Sequence, residues 1–407
     1  LQAATALIGR LNLSGMYYAM PTRATSNHLF DETAQFLEEH GPNVRLRLLH
    51  SSAAEHLAAR GIRASDGSED LHVADVGRDE PVSSDESEAT NDDGQEDGNV
   101  DGREWFTHRR GLLAPVAVGT IDQALKTVIR SRHVFVGLTG LSNKVLVIDE
   151  VHAYDTYMST LLDRLLWWCG RMGIPAILLS ATLPSRRRAD LIRSWCAGAN
   201  RTTMSNVAPL PDLTTYPRVT CSDGSRHRVI PAGVSDLNSH REVRLCRIDE
   251  DDIVAWLLAR TERGGCAAVI HNTVARTKKT RDRLVEAVDK LPPGERPELF
   301  YLTGPMLIEK RHAEEDRLRE AFGPPGRETN RPWRAIAVGT QVLESSLDLD
   351  FDVMVSDVAP VDSLLQRMGR VHRHHRDERP DRVAEPMLAL TGINNTADPA
   401  GPTLPPG

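Results

Sequence analysis

Short, continuous apolar runs recur along the first half of the chain at Gly15–Met20 (GMYYAM), Ala114–Val118 (APVAV), Lys144–Asp149 (KVLVID) and Pro175–Ser180 (PAILLS). Each is too short for a helix and is apolar at consecutive positions, which is the pattern of a strand buried on both faces. Between them lie segments with apolar residues three and four apart, among them ATSNHLFDETAQFLEEH (24–40) and YMSTLLDRLLWWCGRMG (157–173), and these predict helices. The alternation resumes at Cys266–His271, Glu298–Thr303, Arg334–Thr340 and Phe351–Val358. Strands that alternate with helices argue for parallel sheets covered on both faces, and two such series argue for two tandem α/β domains. The expected division is a first domain over 1–205, a Thr-, Ser- and Pro-rich linker over 206–240, a second domain over 241–395 and a tail over 396–407. One strand-like run, PMLALTG (386–392), lies near the end of the second domain.

Composition narrows the class. No apolar run reaches the ~18–20 residues of a membrane span, and the opening LQAATALIGR has no basic-then-apolar secretory pattern. Five scattered cysteines, Cys169, Cys196, Cys221, Cys246 and Cys266, form no CxxC pair and read as buried thiols of a cytoplasmic protein. The net charge of −8 conceals an asymmetry. The stretch 66–101 holds 14 acidic residues against Arg78 alone, so the rest of the chain is modestly basic, a balance compatible with a polyanionic partner. That stretch has no aromatics and no apolar period, and it is expected to be a disordered insertion.

Four clusters carry candidate chemistry. In VLVIDEVH (145–152) a buried strand ends in two adjacent carboxylates, at the end of a parallel sheet where ligands bind. Asp149 can hold Mg²⁺ through water, and Glu150 can polarise a water that attacks a γ-phosphate; the alternative is an N-cap pair for the next helix. Ser180-Ala181-Thr182 closes the next strand with small hydroxyls, which could couple the Asp149 region to a nucleic-acid face or merely cap a turn before Pro184. In QRMGRVHR (366–373) two arginines three apart would share one helix face. Guanidinium groups suit phosphoryl charge, and Arg370 is the candidate arginine finger with Arg373 beside it. In VGTQVLESSLD (338–348) a strand ends in Gly339-Thr340-Gln341, whose amides and side chains could hold a DNA phosphate, and Asp348 could approach the nucleotide.

DEVH, SAT and QxxGRxxR in this order and spacing form the superfamily 2 helicase signature. The longer words AMPTRATSNHLF (19–30), VGTIDQAL (118–125), DEVHAYD (149–155), TQVLESSLDLDFD (340–352) and QRMGRVHRH (366–374) resemble the CRISPR-associated helicase–nuclease of type I interference systems. The resemblance covers nearly the whole chain apart from the acidic insertion. It implies two tandem RecA-like domains that use ATP and Mg²⁺. Catalysis would fall to Asp149, Glu150, Gln366, Arg370 and Arg373, with Gly339, Asp348 and Gly369 near the nucleotide and His152, Ser180 and Thr182 as coupling residues. Pro21, Thr22, Arg23, Thr120, His271, Asn272 and Thr273 would touch single-stranded DNA, together with Thr340 and Gln341. Ser345 stands where the resemblance expects Gln.

The likeness also implies features that the sequence does not contain. No GxxxxGK[ST] phosphate loop and no adjacent His-Asp pair of a nuclease site occur anywhere. LQAATALIGR reads as the helix that would follow such a loop, so the first domain is expected to be N-terminally truncated. The implied activity is ATP-dependent 3′-to-5′ translocation on single-stranded DNA, recruited by an RNA-guided CRISPR surveillance complex and feeding a nuclease, with no membrane partner. Two rivals stand beside it. One is an ATPase-dead remnant that binds DNA or a partner, and the other is an RNA helicase, which DEVHAYD and TIDQ disfavour.

Overall fold

A computed structural model describes residues 1–40, 44–50, 53, 111–129, 134–210, 216–233, 242–326, 330–345, 347–376 and 378–393. The acidic stretch 66–101 and the tail 396–407 lie outside the described residues. The chain divides into two compact units, Leu1–Gly233 and Val234–Gly407.

The first unit is built on five parallel strands: β1 (Gly15–Met20), β2 (Leu46–Leu49), β3 (Val116–Thr120), β4 (Lys144–Ile148) and β5 (Ala176–Leu178), in the order β2-β3-β1-β4-β5. Successive side chains point to opposite faces. Tyr17, Ala19, Leu146 and Ile148 therefore pack on one side, while Met16, Tyr18, Val145 and Val147 pack on the other. Both faces are covered, which explains why the strands read as unbroken apolar runs. The Tyr18 face meets Ala4 of α1 (Gln2–Leu11) and Leu29 and Phe30 of α2 (Arg23–His40). The Tyr17 face meets Ile121 and Ala124 of α3 (Ile121–Leu125), Leu141 of α4 (Val134–Leu141), Leu162, Leu165 and Leu166 of α5 (Thr156–Met172), and Leu191 of α6 (Ser185–Ala199). Asp155 caps α5 by accepting from the Met158 amide, and Gly173 closes it at φ 72°, a left-handed turn that glycine enters without strain.

Helices α5 and α6 approach closely through two glycines. A Cβ on Gly170 would lie 1.9 Å from the Trp195 carbonyl oxygen, and one on Gly198 would lie 1.9 Å from that of Trp167. An antiparallel hairpin of β6 (Arg218–Ser222) and β7 (His227–Pro231) belongs to this unit, although it falls in the stretch read as a linker. Asn200 at the end of α6 donates to the Gly224 carbonyl at 2.6 Å, and Arg188 reaches Thr220 Oγ1 at 2.9 Å. The expectation of buried thiols is corrected at Cys221 on this hairpin and at Cys246 in the second unit. Cys221 is exposed and Cys246 half-buried, while Cys169, Cys196 and Cys266 are buried.

The second unit has six parallel strands: β8 (Arg244–Arg247), β9 (Gly265–Ile270), β10 (Glu298–Leu302), β11 (Arg334–Gly339), β12 (Val353–Asp357) and β13 (Met387–Thr391), ordered β10-β11-β9-β12-β13-β8. The PMLALTG run forms β13 and pairs on both sides. One face packs against α7 (Ile253–Arg260) and α8 (Val274–Asp289) through Leu257 and Leu284, and the other against α9 (Ile308–Phe322) through Leu318 and Phe322. Two short helices, α10 (Val342–Ser345) and α11 (Val361–Met368), follow β11 and β12. Both units are thus α/β with wholly parallel main sheets, as the alternation of runs predicts. Among the described residues no helix is long and apolar enough to cross a membrane.

Candidate functional site

In the first unit the candidate residues gather at the carboxyl ends of β1, β4 and β5, the edge where parallel sheets hold ligands. Asp149 follows the last residue of β4, and its amide bonds the Ala19 carbonyl of β1 at 3.0 Å. One carboxylate oxygen accepts the Glu150 amide at 2.9 Å, and the other accepts the Tyr18 hydroxyl at 3.2 Å. Tyr154 donates to the Asp149 carbonyl at 3.0 Å. Burial, reinforced by the negative charge of Asp149, pushes both phenols well above the ordinary tyrosine range, so they remain donors. Tyr18 reads as core in the sequence, and Tyr154 lies within DEVHAYD without a role of its own there. Tyr18 sits in the apolar run of β1 and is 6% exposed.

Glu150 adopts φ 50°, ψ 46°, left-handed values that are uncommon for a side chain with a Cβ. Such strain persists where the surroundings over-determine it, and it clusters at functional sites. The Glu150 carboxylate is one-third exposed (35%) and lies 3.4 Å from His152 Nδ1. The same nitrogen is 2.9 Å from Ser180 Oγ, so His152 after β4 and Ser180 after β5 are in contact. Thr182 Oγ1 is buried without a hydrogen-bond partner among the described residues. Thr22 caps α2 by accepting the Thr25 amide at 3.2 Å; it and Arg23 are exposed and Pro21 is half-buried. Thr120 is only 6% exposed, and its carbonyl accepts the Tyr17 hydroxyl at 2.7 Å.

In the second unit the candidates sit at the ends of β9, β11 and β12. His271, expected to touch DNA, follows the last residue of β9. The residue is fully buried, with Nδ1 2.9 Å from Asp357 and Nε2 2.8 Å from Thr280 Oγ1, so neither ring nitrogen faces solvent. Burial alone would raise the pKa of Asp357. The hydrogen bond and charge of His271, the Asn272 amide and Arg276 outweigh it and hold the carboxyl below its usual range. Asn272 is half-buried, and its side chain is engaged with the Val358 carbonyl (2.8 Å) and Arg367 (3.2 Å). Thr273 caps α8. Gln341 is exposed and donates to the Asn272 carbonyl at 3.2 Å, whereas Thr340 is 5% exposed. A Cβ at Gly339 would lie 2.6 Å from the Leu302 carbonyl oxygen, which explains the glycine by packing.

A correction concerns the arginine motif. Helix α11 ends at Met368, with Gly369 as its C-cap, so Gln366 is helical but Arg370 and Arg373 lie beyond the helix and share no helix face. Instead Arg370 forks onto the Glu344 carbonyl with Nε at 2.9 Å and Nη2 at 2.7 Å. Arg373 pairs with Asp348, and its amide donates to Asp350 Oδ1 at 2.8 Å. The residue that sequence reasoning missed is Arg367. Its side chain is 1% exposed and bonds Glu344 Oε2 at 2.9 Å and Ser356 Oγ at 2.8 Å. Only its place inside QRMGRVHR could have drawn attention to it, since an arginine between Gln and Met reads as surface.

Comparison with known proteins follows the same lines. The family model described as CRISPR-associated nuclease/helicase Cas3, C-terminal, matches residues 263–376. The CRISPR-associated endonuclease/helicase Cas3 of Thermus thermophilus is 36% identical over 92% of this chain and 41% of its own length. The CRISPR-associated nuclease/helicase Cas3 of Streptococcus thermophilus is 32% identical over 90% of this chain and 37% of its own. The crystal structure of T. fusca Cas3 with AMPPNP matches with a TM-score of 0.80 at 30% identity, covering 99% of this chain and 43% of that one. A CRISPR RNA-guided surveillance complex in a pre-nicking state contains a chain that matches with a TM-score of 0.66 at 26% identity, over 97% of this chain and 45% of that one. The chain spans less than half the length of each of these relatives.

Proposed function

The chain belongs to the CRISPR-associated nuclease/helicase Cas3 family, and on that premise we propose that it forms the helicase motor of an ATP-dependent, single-stranded-DNA translocase in type I CRISPR defence. The observation that carries this reading is the run of contacts Tyr18–Asp149–Glu150–His152–Ser180 at the carboxyl end of the first sheet. It joins two carboxylates to the residue expected to relay their state. The partners on this reading are single-stranded DNA and an RNA-guided surveillance complex, in the cytoplasm.

The donor set fits one side of a Mg²⁺–ATP site. Asp149 has its carboxylate oriented by Tyr18 and the Glu150 amide, as an outer ligand acting through water requires. Glu150 presents a solvent-facing carboxylate to orient a water. Mg²⁺, when bound, neutralises charge developing on the phosphates. The phosphate-cradling side is not among these residues, because the 407-residue sequence holds no GxxxxGK[ST] run. We therefore expect turnover only when such a loop is supplied.

Binding of a fluorescent oligo-dT across a salt series tests the DNA assignment. Log affinity should fall linearly with log salt, by about 0.7 for each phosphate neutralised on a single strand. Salt-insensitive binding, or a preference for double-stranded RNA, would overturn it.

A further inference from the structure

Glu344 and Arg367 lie between the parts of the second unit assigned to nucleic acid and to nucleotide. Arg367 uses all three of its nitrogens. Nε bonds Glu344 Oε2 at 2.9 Å, Nη1 bonds Ser356 Oγ at 2.8 Å, and Nη2 bonds Asn272 Oδ1 at 3.2 Å. Glu344 in turn holds Arg370 through its carbonyl oxygen, at 2.9 and 2.7 Å. Gln341, three residues before Glu344, bonds the Asn272 carbonyl at 3.2 Å. Asn272 and Gln341 thus stand at one end of a continuous set of contacts and Arg370 at the other.

Packing alone does not account for the pair. Glu344 and Arg367 side chains are 7% and 1% exposed, and removing two charges from water offsets much of their attraction. Apolar residues of the same shape often serve a core as well or better. What an arginine adds is a planar fork with fixed donor directions. Because the guanidinium is rigid, a displacement of Asn272 Oδ1 cannot be followed by Nη2 without turning Nε away from Glu344, and Glu344 is the residue whose backbone seats Arg370.

We infer that Glu344 and Arg367 are a positioning pair that transmits the state of Asn272 and Gln341 to Arg370. The inference rests on the function proposed above and goes beyond it by naming the link. Neither residue needs to touch DNA or nucleotide.

Hydrogen–deuterium exchange of the whole 407-residue chain, with and without an oligo-dT, tests it. In the wild type, DNA should slow exchange at residues 272–277 and also change it at 370–373. Glu344→Met/Arg367→Met replaces the pair with apolar side chains of similar length and leaves the Glu344 backbone carbonyl in place. Arg367→Lys keeps the charge and removes the fork, so it serves if the double variant does not fold. In either variant the response at 272–277 should persist and that at 370–373 should be lost. Near-UV circular dichroism establishes that the variant is folded. A folded variant that binds DNA and keeps the 370–373 response overturns the positioning role, as does a wild type that responds at 272–277 but not at 370–373. A wild type with no response at 272–277 sinks the DNA assignment itself.

Discussion

Replacing Asp350 with Asn isolates one buried charge. Asp350 is fully buried between the end of α10 and the start of β12. Its carboxylate accepts Arg379 Nη2 at 3.0 Å on both oxygens, Arg376 Nε at 2.5 Å and the Arg373 amide at 2.8 Å, and Arg331 lies 3.7 Å away. Asp352 shares Arg331 and Arg379 and is the other carboxylate facing these guanidiniums. Asn keeps the size and one acceptor oxygen but leaves Arg376 without its carboxylate and Arg331 and Arg379 with Asp352 alone. Removing one partner of a buried pair costs about 3–5 kcal/mol, and the retained hydrogen bonding places this change near the lower figure. For a unit of this size 1 kcal/mol moves Tm by roughly 2–4 °C, so the second unit should melt ~6–12 °C lower at neutral pH.

The pH dependence gives an independent check. Burial raises the Asp350 pKa, but Arg379, Arg376 and Arg331 outweigh it and hold it below the usual carboxylate range. A depressed pKa means that the stabilisation is complete above the unfolded value, about 3.9, and is lost as pH falls through the folded value. The gap between wild type and Asp350→Asn should therefore be full near neutrality, begin to narrow near the unfolded value of about pH 4 and close as pH falls through the lower folded value. Thermal unfolding followed by circular dichroism across this range measures both. A neutral-pH difference under ~2 °C, or a gap that stays constant into acid, would refute the reasoning.

Other outcomes follow from single sites. Gly198→Ala places a Cβ against the Trp167 backbone, so α5 and α6 must separate; the first unit should lose at least the ~1–3 kcal/mol of an overpacked core, read by denaturant unfolding, and near-neutrality would mean the helices do not pack this closely. Glu150→Gln, in a protein that supplies a phosphate loop, should keep binding of a fluorescent ATP analogue and lose hydrolysis, whereas retained hydrolysis would remove Glu150 from its role. Arg370→Ala in the same protein should slow turnover by about 10³-fold or more; a change of less than tenfold would exclude it as the arginine finger.

The strands of both main sheets were largely legible because burial on two faces removes polar positions altogether, and β1, β4, β9 and β11 appear in the sequence within a residue or two of their ends. The motif words were legible because DEVH, SAT and QxxGRxxR stand together in one order, whereas an acidic pair after a strand is common by itself. What escaped were elements whose stability comes from neighbours. β8 is an edge strand with exposed arginines, and the β6–β7 hairpin is held by α6, so neither carries a pattern of its own. Side-chain direction escaped as well. Asp149 and His271 both end apolar strands, yet the Asp149 carboxylate stays partly open while His271 turns inward onto Asp357. Arg367 is buried and Arg373 exposed within one basic word. Sequence fixes which residues stand at a strand's end. Which of them faces the ligand depends on where α11 stops and which carboxylate from a distant strand lies within 3 Å, and only the packed sheet brings those together.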